Sequence, residues 1–306
     1  MTERPFDRFD GVLFFPVTPF DERDRVDVAV LEEHVADRVA QGAGGVFAAC
    51  GTGEYHALGL DEIRAVVGAA VRATAGRRPV LAGTGGPIAH AVAAARAARE
   101  AGAEGLLVLP PYLVAAPQEG LLRYVAAVAD AADLPLVVYH RGAAALTEPT
   151  VERLLEDPRV QGLKDGVGDL ALMQRFVLAA ARAGRGDVRF FNGLLTAEAS
   201  QAAYRAIGVP LYSSAVFAMA PRIATAFFDA LQNGDVVRQR LLLDRFFVPL
   251  VRLRDETPGF AVSLIKAGLR MGGASVGSVR PPLTDPTAEQ TDRLRALLDA
   301  GHELVA

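Results

Sequence analysis

Short apolar runs alternate with longer amphipathic stretches along most of the chain. The runs are GVLFFPV (11–17), GVFAA (45–49), PVLAG (79–83), GLLVL (105–109), PLVVY (135–139), VQGLK (160–164), VRFFN (188–192) and VPLYS (209–213). Rich in Val, Leu and Phe and without polar alternation, these eight read as parallel strands covered on both faces. Between them the spacing predicts helices near 27–41, 61–75, 88–101, 118–132, 148–156, 169–183 and 196–206. Two helix exits repeat a phrase, GAGG at 42–45 and GAEG at 102–105, each ending a helix with Gly and leading directly into a strand. Eight βα units over roughly 215 residues match the length and rhythm of a (β/α)8 TIM barrel, with an open doubly wound sheet as the structural alternative. The expected organisation is a barrel over 1–220 followed by a C-terminal helical extension over 221–306, where no strand pattern is visible.

Composition narrows the class without naming a chemistry. With 51% hydrophobic and 22% charged residues in 306, the chain can bury a large core. A net charge of −4 gives no footprint for nucleic acid or an anionic membrane. The single cysteine, Cys50, rules out an intramolecular disulfide and suits a reducing cytoplasm. The stretch MTERPFDRFDGVLFFPVTPF sets acidic residues ahead of a short, Pro-broken apolar run, unlike a secretory leader. No apolar stretch approaches the length that spans a bilayer. The expectation is a cytoplasmic protein with no nucleic-acid or membrane partner.

Candidate chemistry lies at the strand ends, where barrels of this kind gather reacting groups. The polar residues closing the runs are Thr18, the GTGE of 51–54, Thr84, Tyr112, Tyr139, Lys164, Asn192, Ser213 and Ser214. Of the 32 basic residues only two, Lys164 and Lys266, are lysine. Arginine supplies a permanent cation, whereas lysine in apolar surroundings can lose its proton and attack a carbonyl carbon. Lys164 on strand six, facing Tyr139 on strand five, has the outline of a Schiff-base site. The plain alternative is a solvated strand-end lysine.

Five segments, FPVTPF (15–20), GTGE (51–54), LPPYL (109–113), VVY (137–139) and GLKD (162–165), resemble the dihydrodipicolinate synthase/N-acetylneuraminate lyase superfamily in order and spacing over nearly the whole chain. Within it GLKDGVGD, FFNGLLTAE (190–198), YSSAVF (212–217) and VRPPL (279–283) are most similar to the 5-dehydro-4-deoxyglucarate dehydratases. The resemblance implies that Lys164 forms the imine with a 2-keto acid and Tyr139 handles protons beside it. It implies that the amides of Thr52 and Gly53 hold the adjacent carboxylate, and that Asn192, Ser213 and Ser214 meet the hydroxyls. Arg141, two residues beyond Tyr139, is the candidate for the distal carboxylate by bidentate pairing. Tyr112 is either a phenol reaching a neighbouring site or a loop anchor. The activity so implied dehydrates and decarboxylates a 2-keto sugar diacid in a homo-oligomer, a dimer or tetramer, without a cofactor. Thr52 stands alone where the superfamily commonly has two hydroxyl residues, which suits the dehydratase, and HRGAA (140–144) stands where relatives commonly carry an amide.

Other signals are weaker. GTGG at 83–86 lacks a dinucleotide loop's third glycine, since position 88 is Ile. The five histidines show no ligand spacing, so neither cofactor nor metal is expected. Cys50 reads as a small buried filler, Glu54 as a helix-start carboxylate, and Lys266 as a structural or interface residue on a helix outside the barrel. The rival functions are an aldolase cleaving a 2-keto-3-deoxy sugar acid and a non-catalytic sugar-acid sensor.

Overall fold

Each apolar run holds one strand of a closed parallel barrel. The computed structural model describes residues 4–306; residues 1–3, which open both the N-terminal stretch and the 1–220 unit considered above, lie outside it. The strands are β1 (Val12–Phe14), β2 (Ala43–Ala48), β3 (Val80–Thr84), β4 (Gly105–Val108), β5 (Leu136–His140), β6 (Val160–Asp165), β7 (Arg189–Asn192) and β8 (Leu211–Ser214). They pair in chain order and β1 pairs with β8, which excludes the open doubly wound sheet.

The helices between strands are α1 (Val28–Ala40), α2 (Leu60–Thr74), α3 (Ile88–Glu100), α4 (Gln118–Ala132), α5 (Glu148–Leu154), α6 (Leu170–Arg182) and α7 (Gln201–Ala206). Asp27 and Asp169 cap α1 and α6 by accepting from the amides of Val30 and Leu172. The glycines of the repeated phrase do what helix exits require: Gly42 has φ +94° and Gly102 φ +91°. The segment expected as one helix over 196–206 is instead a 3₁₀ turn at Ala197–Ala199 followed by the six-residue α7. Thr196 enters that turn in the left-handed region at φ +52°, and the Asn192 amide takes up the Ala197 carbonyl, so the helix starts late. After β8 come α8 (Val216–Met219), α9 (Pro221–Gln232), α10 (Val236–Leu242), α11 (Val248–Arg254), α12 (Phe260–Met271) and α13 (Ala288–Glu303), with a wider π turn at Leu243–Phe247 joining α10 to α11. The α9 helix packs on β1 and α10.

Two apolar layers follow from strand alternation. Outward-facing side chains such as Phe14, Ala82, Val138 and Leu163 pack beneath the helices. Inward-facing ones, including Leu13, Phe47, Leu81, Leu107, Val137 and Phe191, fill the barrel. Phe6 joins the inner cluster from the N-terminal segment, while Phe9 lies against Phe47 and Phe191. Gly45 and Gly105 make room for these rings, since a Cβ at either would come within 3 Å of one. The N-terminal segment therefore plugs one end of the barrel. The other end is open.

Candidate active site

At the open end a cavity of about 630 Å3 is bounded by the strand ends and by residues of the helical extension such as Leu250, Arg254 and Ile265. Lys164 and Tyr139 are register partners on β6 and β5, so both point inward at the same height. The Lys164 Nζ lies 4.3 Å from the centre of the Tyr139 ring and 4.6 Å from that of Phe15, and the residue is only 7% exposed. A side chain so nearly dry among aromatic faces is no solvated strand-end lysine. Among the described residues it pairs with no carboxylate.

The phenol of Tyr139 donates to the Gly193 carbonyl at 3.0 Å and accepts from Arg141 Nη1 at 2.9 Å. Burial would raise its pKa, but the charges of Lys164 and Arg141 and the hydrogen bond from Arg141 outweigh burial and bring it below the ordinary phenol range. Two glycines clear the space. A Cβ at Gly166 would lie 2.8 Å from the Tyr139 ring, and one at Gly193 would lie 2.6 Å from two carbons of Lys164. His140, next along β5, faces outward, and its Nδ1 accepts from the Leu146 amide at 2.7 Å. Burial, opposed by Asp165 and Asp169, lowers its pKa and keeps the ring neutral as an acceptor. The HRGAA departure thus has a local function: His140 folds back the loop that carries Arg141.

The turn after β2 brings backbone to the cavity. The amides of Glu54 and Tyr55 donate to the carbonyls of Gly51 and Cys50, and Thr18 Oγ1 donates to the Gly53 carbonyl at 2.6 Å. The amides of Thr52 and Gly53 donate to no described residue, which leaves a pair of donors for an anion. Thr52 lines the cavity while Gly53 lies just beneath, where a Cβ would press to 3.1 Å from the Pro16 carbonyl. The thiol of Cys50 is fully buried there, and burial pushes it up to about 12 in spite of nearby Lys164.

Of the residues expected at the site, the fold brings Lys164, Tyr139, Arg141, Thr52 and Ser213 to the cavity wall, while Gly53 is buried next to Thr52 and outside the lining. Asn192, Ser214 and Tyr112 stand elsewhere. Lys164 pairs with Phe191, which faces inward, so Asn192 faces outward and donates to Ser200 Oγ and Gln201 Oε1. By the same alternation Ser213 lines the cavity, while Ser214 turns away and donates to the Glu198 carboxylate. Tyr112, 63% exposed on the loop after β4, lies outside the cavity lining. Sequence reading passed over Phe15, Gly166, Gly193 and Arg254. Arg254 also lines the cavity, donating to Thr196 Oγ1 at 2.7 Å.

Lys266 lies on α12, outside the barrel, and of its two expected roles the structural one fits: its side chain is fully buried, and Nζ lies 2.7 Å from Oε1 of an equally buried Glu54. Among the described residues no three His, Cys, Asp or Glu side chains group so as to hold a metal ion, and no helix is long and apolar enough to cross a membrane.

The chain is similar to known proteins in sequence and in fold. Residues 8–301 match the dihydrodipicolinate synthetase family. The chain is 55% identical over 298 residues to a protein of Streptomyces griseus subsp. griseus named probable 5-dehydro-4-deoxyglucarate dehydratase, covering 97% of this chain and 93% of that one. It is 44% identical over 289 residues to a protein of the same name from Azotobacter vinelandii, covering 94% of each. Among solved structures, dihydrodipicolinate synthase from Oceanobacillus iheyensis superposes with a TM-score of 0.89 at 22% identity, over 97% of this chain and 98% of that one.

Proposed function

From a chain that belongs to the dihydrodipicolinate synthetase family, we infer a Schiff-base lyase that converts 5-dehydro-4-deoxyglucarate to 2,5-dioxopentanoate, CO2 and water. One observation carries the reading: a buried lysine without a carboxylate partner beside a phenol, on neighbouring strands at the open end of a barrel. In this reading the Lys164 amine adds to the keto carbon and water leaves, giving a protonated imine. The adjacent CH2 becomes acidic because the electrons left behind delocalise onto nitrogen. Loss of that proton gives an enamine, which expels the hydroxyl one carbon further along. The conjugated iminium so formed is an electron sink for the carbon bearing the distal carboxylate, which departs as CO2. The resulting enol collapses to the aldehyde, and water releases the product from Lys164.

Tyr139 is the acid and base for these transfers, with Gly193 and Arg141 fixing its oxygen. The free amides of Thr52 and Gly53 receive the carboxylate next to the imine, and Ser213 meets a hydroxyl. Arg141 directs one nitrogen at Tyr139 and pairs with no carboxylate among the described residues, so its remaining donors suit the distal carboxylate. We place the enzyme in the cytoplasm as a homo-oligomer. The buried free thiol of Cys50 and the exposed apolar side chains of Leu113, Val114 and Val237 support that placement.

The test is a product assay on 5-dehydro-4-deoxyglucarate after exhaustive EDTA treatment. Full activity with CO2 and 2,5-dioxopentanoate in equal amounts is the expected result. Pyruvate plus an aldehyde fragment would assign an aldolase, and failure to trap any imine would assign a sugar-acid sensor.

A further inference from the structure

The second lysine of the chain, Lys266, is held at the turn after β2. Glu54 closes the 51–54 turn in the left-handed region, at φ +57°. Its Oε1 faces Lys266 of α12 at 2.7 Å, and its Oε2 accepts from the Arg280 amide at 2.8 Å. Lys266 in turn donates to the Ser278 carbonyl at 2.8 Å. Phe20 lies against both cations, 4.1 Å from Lys266 Nζ and 4.0 Å from the Arg280 guanidinium carbon. The Arg280 side chain ties the next turn down through the Ala57 carbonyl and the Glu62 carboxylate. Segments 15–20, 51–54 and 279–283, remote in sequence, thus meet at a single carboxylate.

That carboxylate sits directly after the two free amides. An uncompensated anion there would repel a substrate carboxylate, and a neutral residue would not anchor the turn to α12. We propose that Glu54 and Lys266 form a positioning pair, which sets the Thr52 and Gly53 amides for the substrate's keto-acid carboxylate and cancels the charge that would oppose it. This rests on the Schiff-base reading above and extends it to residues outside the cavity. Neither residue touches substrate.

The experiment separates binding of the carboxylate from imine formation. Wild type and variants are incubated with pyruvate or with hydroxyacetone, which has the ketone but no carboxylate. Cyanoborohydride then reduces the imine on Lys164 to a stable secondary amine, read as added peptide mass. In Lys266→Met the half-saturating pyruvate concentration should rise about tenfold or more, with hydroxyacetone trapping unchanged. A buried unpaired Glu54 can unfold that variant, so Glu54→Gln with Lys266→Met is made alongside. This neutral pair should fold and still need several-fold more pyruvate, again with no change for hydroxyacetone. Wild-type pyruvate dependence in the folded double variant, or equal shifts for both ketones, would overturn the pair's role alone. Failure of the wild type to label Lys164 with either ketone would overturn the imine reading and this inference with it.

Discussion

Alkaline titration should single out Tyr139 among the buried tyrosines. Cations lower its phenol, whereas burial pushes Tyr55 up to about 12 and raises Tyr124, Tyr204 and Tyr212 as well. The phenolate absorbance of Tyr139 should therefore emerge ahead of theirs. Because the Arg141 guanidinium favours the phenolate, Arg141→Gln should move that first step to higher pH; an unmoved step would discount Arg141 as a cause. Tyr139→Phe keeps the ring against Lys164 and removes only the oxygen. Turnover should fall by about two to four powers of ten while the melting temperature stays near that of the wild type. Near-normal turnover in the folded variant would leave the hydroxyl a structural role.

At the level of elements, the strands were legible because nearly all are buried on both faces, and that burial writes continuous apolar runs into the sequence. The same burial hid which way the strand ends face. An apolar run carries no period-two signal, so Asn192 and Ser214 could not be told from inward residues without the pairing of Lys164 with Phe191. Lys266 was legible as a structural residue on a helix outside the barrel, but its partner was not, because Glu54 is distant in sequence. A signal did exist: Val262, Ser263 and Leu269 at helical spacing mark the buried face on which Lys266 falls, and a buried cation needs an anion. The site glycines show the limit from the other side. Gly193 follows β7, and a Cβ there would meet Lys164 at 2.6 Å and the Asp165 backbone oxygen at 2.7 Å. Since backbone cannot swing aside as a side-chain tip can, Gly193→Ala should displace the lysine and cost about a hundredfold in turnover. Gly186→Ala, which meets nothing, serves as the control. Full activity of Gly193→Ala would show that Lys164 reaches its ketone from another rotamer.

For the whole molecule, two buried groups set opposing pH dependences of stability. Burial raises Glu198 from 4.5 to about 7, even though Ser214 donates to it. The fold favours its protonated form, so its contribution is complete below pH 4.5 and is lost as pH rises through about 7. That loss is roughly 3 kcal/mol. Burial lowers His34 from 6.5 to about 3, helped by Arg38. Its contribution is present above pH 6.5 and is lost as pH falls through about 3. Denaturant melts across the range should show the wild type losing stability relative to Glu198→Gln between about pH 4.5 and 7, by an amount of that order. A gap independent of pH would mean that Glu198 is already ionised in the fold. The pairing of β1 with β8 also orders events in time. A ribosome delivers β1 roughly two hundred residues before β8. Throughout that interval the nascent sheet has two open edges able to pair with another chain. A first strand of only three residues keeps one of those edges short until its partner is made.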